Sequence, residues 1–346
     1  MASKRPTTVS FINNKGGVGK TTLACNMAHY LANHGGQRVL MLDLDPQCNA
    51  TQLMLSDEQW DNLFGGTSAK SEARTILHPL RNLRQGDSTV ETDFEVTRSE
   101  RFGVDVLPGH PSLALLEDSF SQSWVSFLAG EPAGARRTHW IWQLLRDADR
   151  YDVVVIDAGP SLGALNRSIV LGSQAIVTPT AADLFSLFAL DNIAEWIKRW
   201  SVRYGDALVA AKNSSTDPSL GDVPGVVAGI AATYLGYTVQ QYVTKSVKAG
   251  ERRSVNSYDQ YKREIPNHAS RLVNVTRTAR TSDLQLGIVP HMFSMIPLAQ
   301  SRHAPIGSLT TADGLRGAQI SQQANYRQQL DDIGEKLQAA LAEVSA

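Results

Sequence analysis

The sequence predicts an α/β fold, a mostly parallel twisted sheet with helices on both faces. Three observations predict it. Short β-branched runs alternate with helical patterns along the chain. Several of those runs, such as "VVVI" at 153–156, are apolar throughout, as strands buried on both faces are. A glycine loop or a carboxylate follows the strand ends, the edge where such sheets hold their ligands. The 346 residues are 42% apolar and 19% charged, enough for a core within one large domain spanning 1–346.

The first strand is Val9–Ile12, ending at a glycine loop. The first helix is Thr22–Asn33, with Leu23, Met27, Tyr30 and Leu31 on one face. "RVLMLDLD" gives a second strand over Val39–Leu42, "GVDVLPG" a third and "YDVVVIDAGPS" a fourth. "QAIVTP" and "GVVAGIAATYL" are the next two, and "HMFSMIP" the last. Phe185–Trp200 reads as an amphipathic helix with Phe185, Phe188, Ile193, Trp196, Ile197 and Trp200 inward. Ile320–Leu341 reads as a terminal helix on Ala324, Leu330, Ile333, Leu337 and Leu341. Two stretches, about 56–100 and 119–138, read as surface excursions, and about 236–287 as a polar, basic insertion.

Composition excludes several function classes. The formal net charge of −1 argues against a globally basic nucleic-acid coat, though not against a local patch. The two cysteines, Cys25 and Cys48, have no CxxC partners, which removes a zinc or iron–sulfur ligand set and a disulfide framework. No signal-length apolar segment precedes the first strand and no run approaches a membrane span, so the expectation is a cytoplasmic protein.

The chemistry lies in three motifs. "NNKGGVGKTT", 13–22, ends as a phosphate-binding loop does, although Asn14 stands where the strict pattern has glycine. Gly16, Gly17 and Gly19 let backbone N–H groups turn toward an anion, with the following helix aiming its positive end there. Lys20 suits the β- and γ-phosphates, and the Thr21 hydroxyl suits Mg²⁺. In "LDLDPQCNAT", Asp43 and Asp45 share one side of a strand end, where one can serve the metal's water shell and the other orient an attacking water. Asp157, after "VVVI", has the Walker-B arrangement for Mg²⁺, and the Gly159–Pro160 turn follows it.

Taken in order, "KGGVGKTT", "VLMLDLDPQCNAT", "VLPGHPSLALLE", "YDVVVIDAGPSLGALN", "IVTPTAADLFSLFAL" and "DGLRGAQISQQANYRQQLDDIGEKL" resemble the ParA/MinD family of deviant Walker A ATPases. The resemblance covers most of the chain and implies a single P-loop NTPase domain that uses ATP and Mg²⁺. It implies nucleotide contacts from Lys15, Gly16, Gly17, Val18, Gly19, Lys20, Thr21 and Thr22, and metal contacts from Thr21, Asp43 and Asp157, the aspartates through water. Lys15 matches the family's signature lysine, which reaches across a nucleotide-sandwich dimer. Asp45 matches its water-positioning aspartate, so Lys15, Lys20 and Asp45 form the implied catalytic set. The chain departs from the family in two places: Ala158 and Gly159 precede a single Pro160 where two prolines are usual, and Asp183 replaces the usual glutamate.

Within the family the resemblance is closest to small ParA-like partition ATPases. The terminal helix lacks the basic face an anionic membrane needs. The loop begins by residue 13, so no N-terminal helix-turn-helix domain is expected. Such proteins are slow ATPases that bind nonspecific DNA as ATP dimers and work with a ParB-like partner, which implies nucleoid association. Residues 245–280 carry nine lysines and arginines against three carboxylates, a footprint suited to phosphate backbone. Arg252, Arg253, Lys262 and Arg263 are the expected DNA contacts, joined by Arg199 and Arg203. The alternative is a regulatory ATPase that recruits an effector from a neighbouring gene without gripping DNA.

Overall fold

The structure is a computed structural model that describes residues 5–66, 68–226, 229–241, 253–278, 283–292 and 294–345, without the side chains of 68, 69, 253–257, 278 and 345. Its strands are β1 (Thr7–Phe11), β2 (Val39–Leu44), β3 (Thr97–Ser99), β4 (Val104–Leu107), β5 (Val153–Ala158), β6 (Ala175–Ala181), β7 (Thr233–Gln240), β8 (Arg277–Thr278) and β9 (Gln285–Val289). They form one sheet in the order β3-β4-β2-β5-β1-β6-β7-β8, with β9 also paired to β7. Among the described strands only β3 runs antiparallel.

The helices in the first half are α1 (Lys20–Asn33), α2 (Asn49–Met54), α3 (Asp57–Phe64), α4 (Ser68–Ala73), α5 (Arg81–Arg84), α6 (Glu117–Leu128), α7 (Pro132–Thr138) and α8 (Trp140–Leu144). Those in the second half are α9 (Ala164–Gly172), α10 (Leu184–Asn213), α11 (Pro218–Gly221), α12 (Arg253–Val273), α13 (Met295–Ser301) and α14 (Ala318–Ser345). Alternate strand residues feed two cores, one on each face of the sheet. Leu40, Leu42, Val154, Ile156 and Ile176 pack with residues of α6, α9, α10 and α12. Val39, Met41, Val153, Val155 and Val177 pack with α1, α2, α13 and α14. The fully apolar strands are therefore covered on both sides.

Several expectations need correction. The sixth strand takes only the end of "GVVAGIAATYL" and continues to Gln240, in parallel register with β6. Its bulge sits at Leu235 and Gly236; Gly236 has a φ of 130°, and a Cβ there would lie 2.0 Å from the Leu284 carbonyl oxygen, which leaves no room for a side chain. The last strand is Gln285–Val289, closed by Pro290, whereas "HMFSMIP" leads into α13 and buries Met292 and Met295. The long helix runs thirteen residues past Trp200, and Phe185 and Phe188 are exposed by 71% and 51%. Its buried stripe does pass through Ile193, Ile197 and Trp200, but near the start it runs through Leu187 and Leu190 rather than the two phenylalanines.

The stretch 119–138 is not a surface excursion. It forms most of α6 and all of α7, and Phe120, Trp124 and Phe127 join the core. Much of 56–100 is likewise helical, with Leu63, Ile76, Leu77, Leu80 and Leu83 buried. The described residues of 236–287 are built into the fold: they supply the last five residues of β7, together with α12 and β8. Through α12 they pack Ile265, Ala269 and Leu272 into the core.

Candidate active site

The phosphate loop joins the buried end of β1 to α1. Gly17 and Gly19 hold φ of 77° and 74°, the left-handed turn that brings successive N–H groups to one concave side. Asn13 pins the loop at its root: its Nδ2 donates to the Pro179 carbonyl at 2.6 Å, and its Oδ1 accepts from the Lys15 N–H at 2.8 Å. Gln240, at the end of β7, leans on the other side. A Cβ at Gly19 would lie 3.0 Å from its Oε1, and its Nε2 donates to the Pro290 carbonyl at 3.1 Å.

Inside the loop Lys20, Thr21 and Asp157 converge. The Lys20 ammonium donates to Asp157 Oδ1 at 2.7 Å, and the Thr21 hydroxyl donates to Asp157 Oδ2 at 2.7 Å. Asp45 Oδ2 stands 3.9 Å from the same ammonium. Lys20, Asp45 and Asp157 are all buried. The loop's inner ammonium is thus held by the carboxylate that the sequence motif assigns to metal.

Register explains the electrostatics. Asp43 on β2 pairs directly with Asp157 on β5, setting two fully buried carboxylates on adjacent strands. Burial and the Asp157 charge raise the Asp43 carboxyl above its ordinary range, against hydrogen bonds from Thr51. Burial also raises Asp157, with Lys20 and Thr21 opposing. Asp43 Oδ2 accepts from the Thr51 N–H at 2.7 Å and from the Thr51 hydroxyl at 2.6 Å. Of the two, Asp157 is therefore the carboxylate bonded to Thr21, while Asp43 is engaged behind it.

Lys15 is elsewhere. Its ammonium donates to Asp183 and, at 3.1 Å, to the Ser186 hydroxyl, on the rim of the site at the start of α10. Asp183, noted in the sequence only as a departure, is the N-cap of that helix and accepts from the Ser186 N–H at 3.0 Å. Sequence reasoning missed Thr51, Gln240, Asn166 and Ser186. Asn166 closes the turn after β5 by donating to the Gly159 and Ser161 carbonyls at 2.7 and 2.6 Å. Of these, Gln240 had a usable signal, a polar residue closing an apolar strand.

The expected DNA contacts that are described, Lys262, Arg263, Arg199 and Arg203, do not gather at one place. Arg252 lies outside the described residues, as does the Arg253 side chain. Arg263 is exposed and Lys262 half-buried on α12; Arg199 and Arg203 are exposed on α10. The two helices run parallel: Asp191 meets His268 at 2.8 Å and Arg271 at 2.6 Å. Lys198 borders Asn274 and Val275 in the next groove. Arg199 therefore lies about 20 Å farther down the helix axes than Arg263, and it pairs with Glu195 at 3.0 Å.

Comparison with known proteins bears on the same elements. A protein-family profile described as an AAA domain matches residues 6–209. The chromosome-partitioning ATPase Soj of Thermus thermophilus is 35% identical over 181 residues, 52% of this chain and 56% of Soj. The chromosome partitioning protein ParA of Caulobacter vibrioides is 29% identical over 194 residues, 55% of this chain and 62% of ParA. The chain thus spans little more than half the length of these relatives. The crystal structure of protein DIP2308 from Corynebacterium diphtheriae is 39% identical, with a TM-score of 0.71, covering 86% of this chain and 97% of that one. An ATP complex of Cyanothece McdA shares the fold, with a TM-score of 0.60 at 15% identity over 96% of this chain and 97% of that one. The chain belongs to the ParA/MinD family of deviant Walker A ATPases, on its ParA and Soj side.

Proposed function

We propose that this chain is a slow, Mg²⁺-dependent ATPase that acts as a dimerising switch. In this reading its ATP dimer binds nonspecific DNA and positions DNA or another cargo with a ParB-like activating partner. The observation that carries the reading is the separation of the two loop lysines. Lys20 faces inward onto Asp157 at 2.7 Å, whereas Lys15 sits on the rim against Asp183. One cation serves the loop's own triphosphate, and the other is available to a facing one. Two triphosphates across an interface repel, and a lysine from each side offsets that repulsion and stabilises charge as the γ-phosphate departs.

Each residue then has a task. The backbone from Gly16 to Thr22, Val18 included, wraps the phosphates, and Lys20 leaves Asp157 to neutralise them. Thr21 and Asp157 fit Mg²⁺, since a hydroxyl and a carboxylate are the hard oxygen donors that ion prefers, and Asp43 supports them from behind. Bound there, the ion would neutralise charge on the phosphate oxygens. No group of three or more His, Cys, Asp or Glu forms a metal cage among the described residues; an ion shared with phosphates needs none. Asp45 accepts from the attacking water and holds it in line.

The partition role is supported by the names of the Soj and ParA relatives. No helix among the described residues is long and apolar enough to cross a membrane. In this reading the chain is cytoplasmic and nucleoid-associated, with Arg252, Arg253, Lys262 and Arg263 as one set of phosphate contacts and Arg199 and Arg203 as another. That separation, and the pairing of Arg199 with Glu195, favours the second reading, a regulatory ATPase that recruits an effector without DNA. DNA binding with and without ATP over a salt series separates the two. The first expects ATP-dependent binding that falls steeply with salt and weakens when the four α12-region cations become alanine. Absence of binding by wild type at low salt with ATP selects the second.

A further inference from the structure

At the opposite end of α1 from the phosphate loop lies a cleft of about 410 Å³. It is walled by the C-terminal half of α1, the N-terminal half of α14 and the segment 307–310. Its frame is firmly built. Buried Gln323 donates from Nε2 to the carbonyls of Ile306, Gly307 and Leu309 at 3.2, 2.7 and 3.1 Å. Asn26 Oδ1 accepts from the Ile306 N–H at 3.1 Å. Gly334 lets the Tyr30 ring lie directly on α14, since a Cβ there would stand 2.3 Å from it. The His34 ring lies tilted against Tyr30 with centroids 5.0 Å apart. The cleft is therefore largely formed before anything enters it.

Two charged groups of opposite sign stand in this lining. Arg327 and Asp331 stand one turn apart on α14, and neither makes a hydrogen bond or ion pair with any described residue. The Arg327 stem rests against Gly307, where a Cβ would meet its Cγ at 3.2 Å. A cation four residues before an anion is the poorer helical order for pairing. The wall thus presents opposite charges about 6 Å apart along the helix. A simple anion is repelled by Asp331 and a simple cation by Arg327. A molecule carrying both charges satisfies both.

We propose that this cleft binds a small zwitterion of the α-amino-acid class, its carboxylate on Arg327, its ammonium on Asp331 and its side chain toward the Tyr30 and His34 rings. The ligand touches the helix that carries Lys20 at its other end. The proposal does not depend on what the phosphate loop binds.

The test is titration calorimetry of the full chain with glycine, L-serine and L-glutamine, each compared with its N-acetyl and its amide derivative. At least one free amino acid is expected to bind saturably, and loss of either charge to weaken it about tenfold. In Arg327→Gln the free acid and the amide should bind alike; in Asp331→Asn the free amine and the N-acetyl form should bind alike. Arg327 is exposed and Asp331 half-buried, and both variants should melt as wild type does. The proposal is overturned if no free amino acid binds up to roughly 10 mM. It is equally overturned if the capped derivatives bind as well as the free ones, or if neither variant changes the comparison.

Discussion

The Lys15 ammonium is held by Asp183, the same carboxylate that caps α10 through the Ser186 N–H at 3.0 Å. Burial raises the Asp183 carboxyl, but hydrogen bonds from Lys15 and Ser186 outweigh it and leave the group below its ordinary range. The lysine proposed to serve a second copy is thus restrained within its own. Asp183→Asn keeps a good cap but loses the ion pair. A half-exposed pair of this kind contributes about 1 kcal/mol. The variant should therefore reach half-dimerisation at roughly fivefold less ATP. Light scattering over an ATP series measures it; an unchanged midpoint means Asp183 does not restrain Lys15.

Lys15→Ala and Asp45→Ala should fail in opposite ways. The first should bind nucleotide as a monomer yet neither dimerise nor turn over. The second should bind ATP and persist as a dimer, because the water is no longer oriented. Sizing in the presence of ATP, alongside phosphate release, reads both. A Lys15→Ala protein that dimerises and hydrolyses like wild type refutes the role in trans.

Lys20→Ala removes the loop's inner cation and strips Asp157, fully buried, of its partner. ATP affinity should fall on the order of 100-fold by calorimetry. The nucleotide-free protein should also lose about 3 kcal/mol of stability. Normal ATP affinity in this variant would falsify the loop assignment.

His139 predicts an acid limb to stability. It is buried, donates from Nδ1 to the Ala135 carbonyl at 2.8 Å and accepts at Nε2 from the Tyr204 hydroxyl at 2.8 Å, so the neutral ring is fixed in one tautomer. Burial lowers its pKa from 6.5 to about 4. The unfolded chain therefore binds the extra proton first as pH falls. Stability from this group is full above pH 6.5 and is lost as pH drops toward 4, by roughly 3 kcal/mol. His139→Gln should flatten that part of the pH–stability curve from chemical denaturation; parallel curves would show that the ring does not titrate there.

Gly334→Ala should destabilise, against helix propensity. Alanine is worth about 1 kcal/mol more than glycine inside a helix. Here the new Cβ would lie 2.3 Å from the Tyr30 ring, and overpacking of that kind costs about 1–3 kcal/mol. The melting temperature should fall, and Tyr30→Ala in the same chain should make Gly334→Ala stabilising. A rise in the single variant would mean the ring moves aside freely.

Much of the site was legible because its chemistry lies in contiguous motifs. Lys20, Thr21 and Asp157, each named from its motif, meet in the structure. The partner of Asp43 was not legible, since Thr51 reaches it only after β2 turns into α2. The Lys15–Asp183 contact joins residues 168 positions apart, and no local pattern announces it. In the fold, apolar strands were read well where both faces are buried. The edge at β7 and β9 was misplaced, because pairing and a bulge at Gly236 set that register rather than local hydrophobicity. Phe185 and Phe188 misled because periodicity gives an apolar face but not which of its residues find a neighbour to cover them.

The thirty residues of α10 begin at the Lys15 anchor. At 1.5 Å per residue the helix is about 45 Å long, so a tilt of about 5° at its cap displaces the far end by about 4 Å. It has the shape of a lever whose first turn carries the Lys15 contact. A tilt that followed release of Lys15 from Asp183 would be felt at Val202 and Val209 farther along the same helix, which are exposed by 74% and 56%.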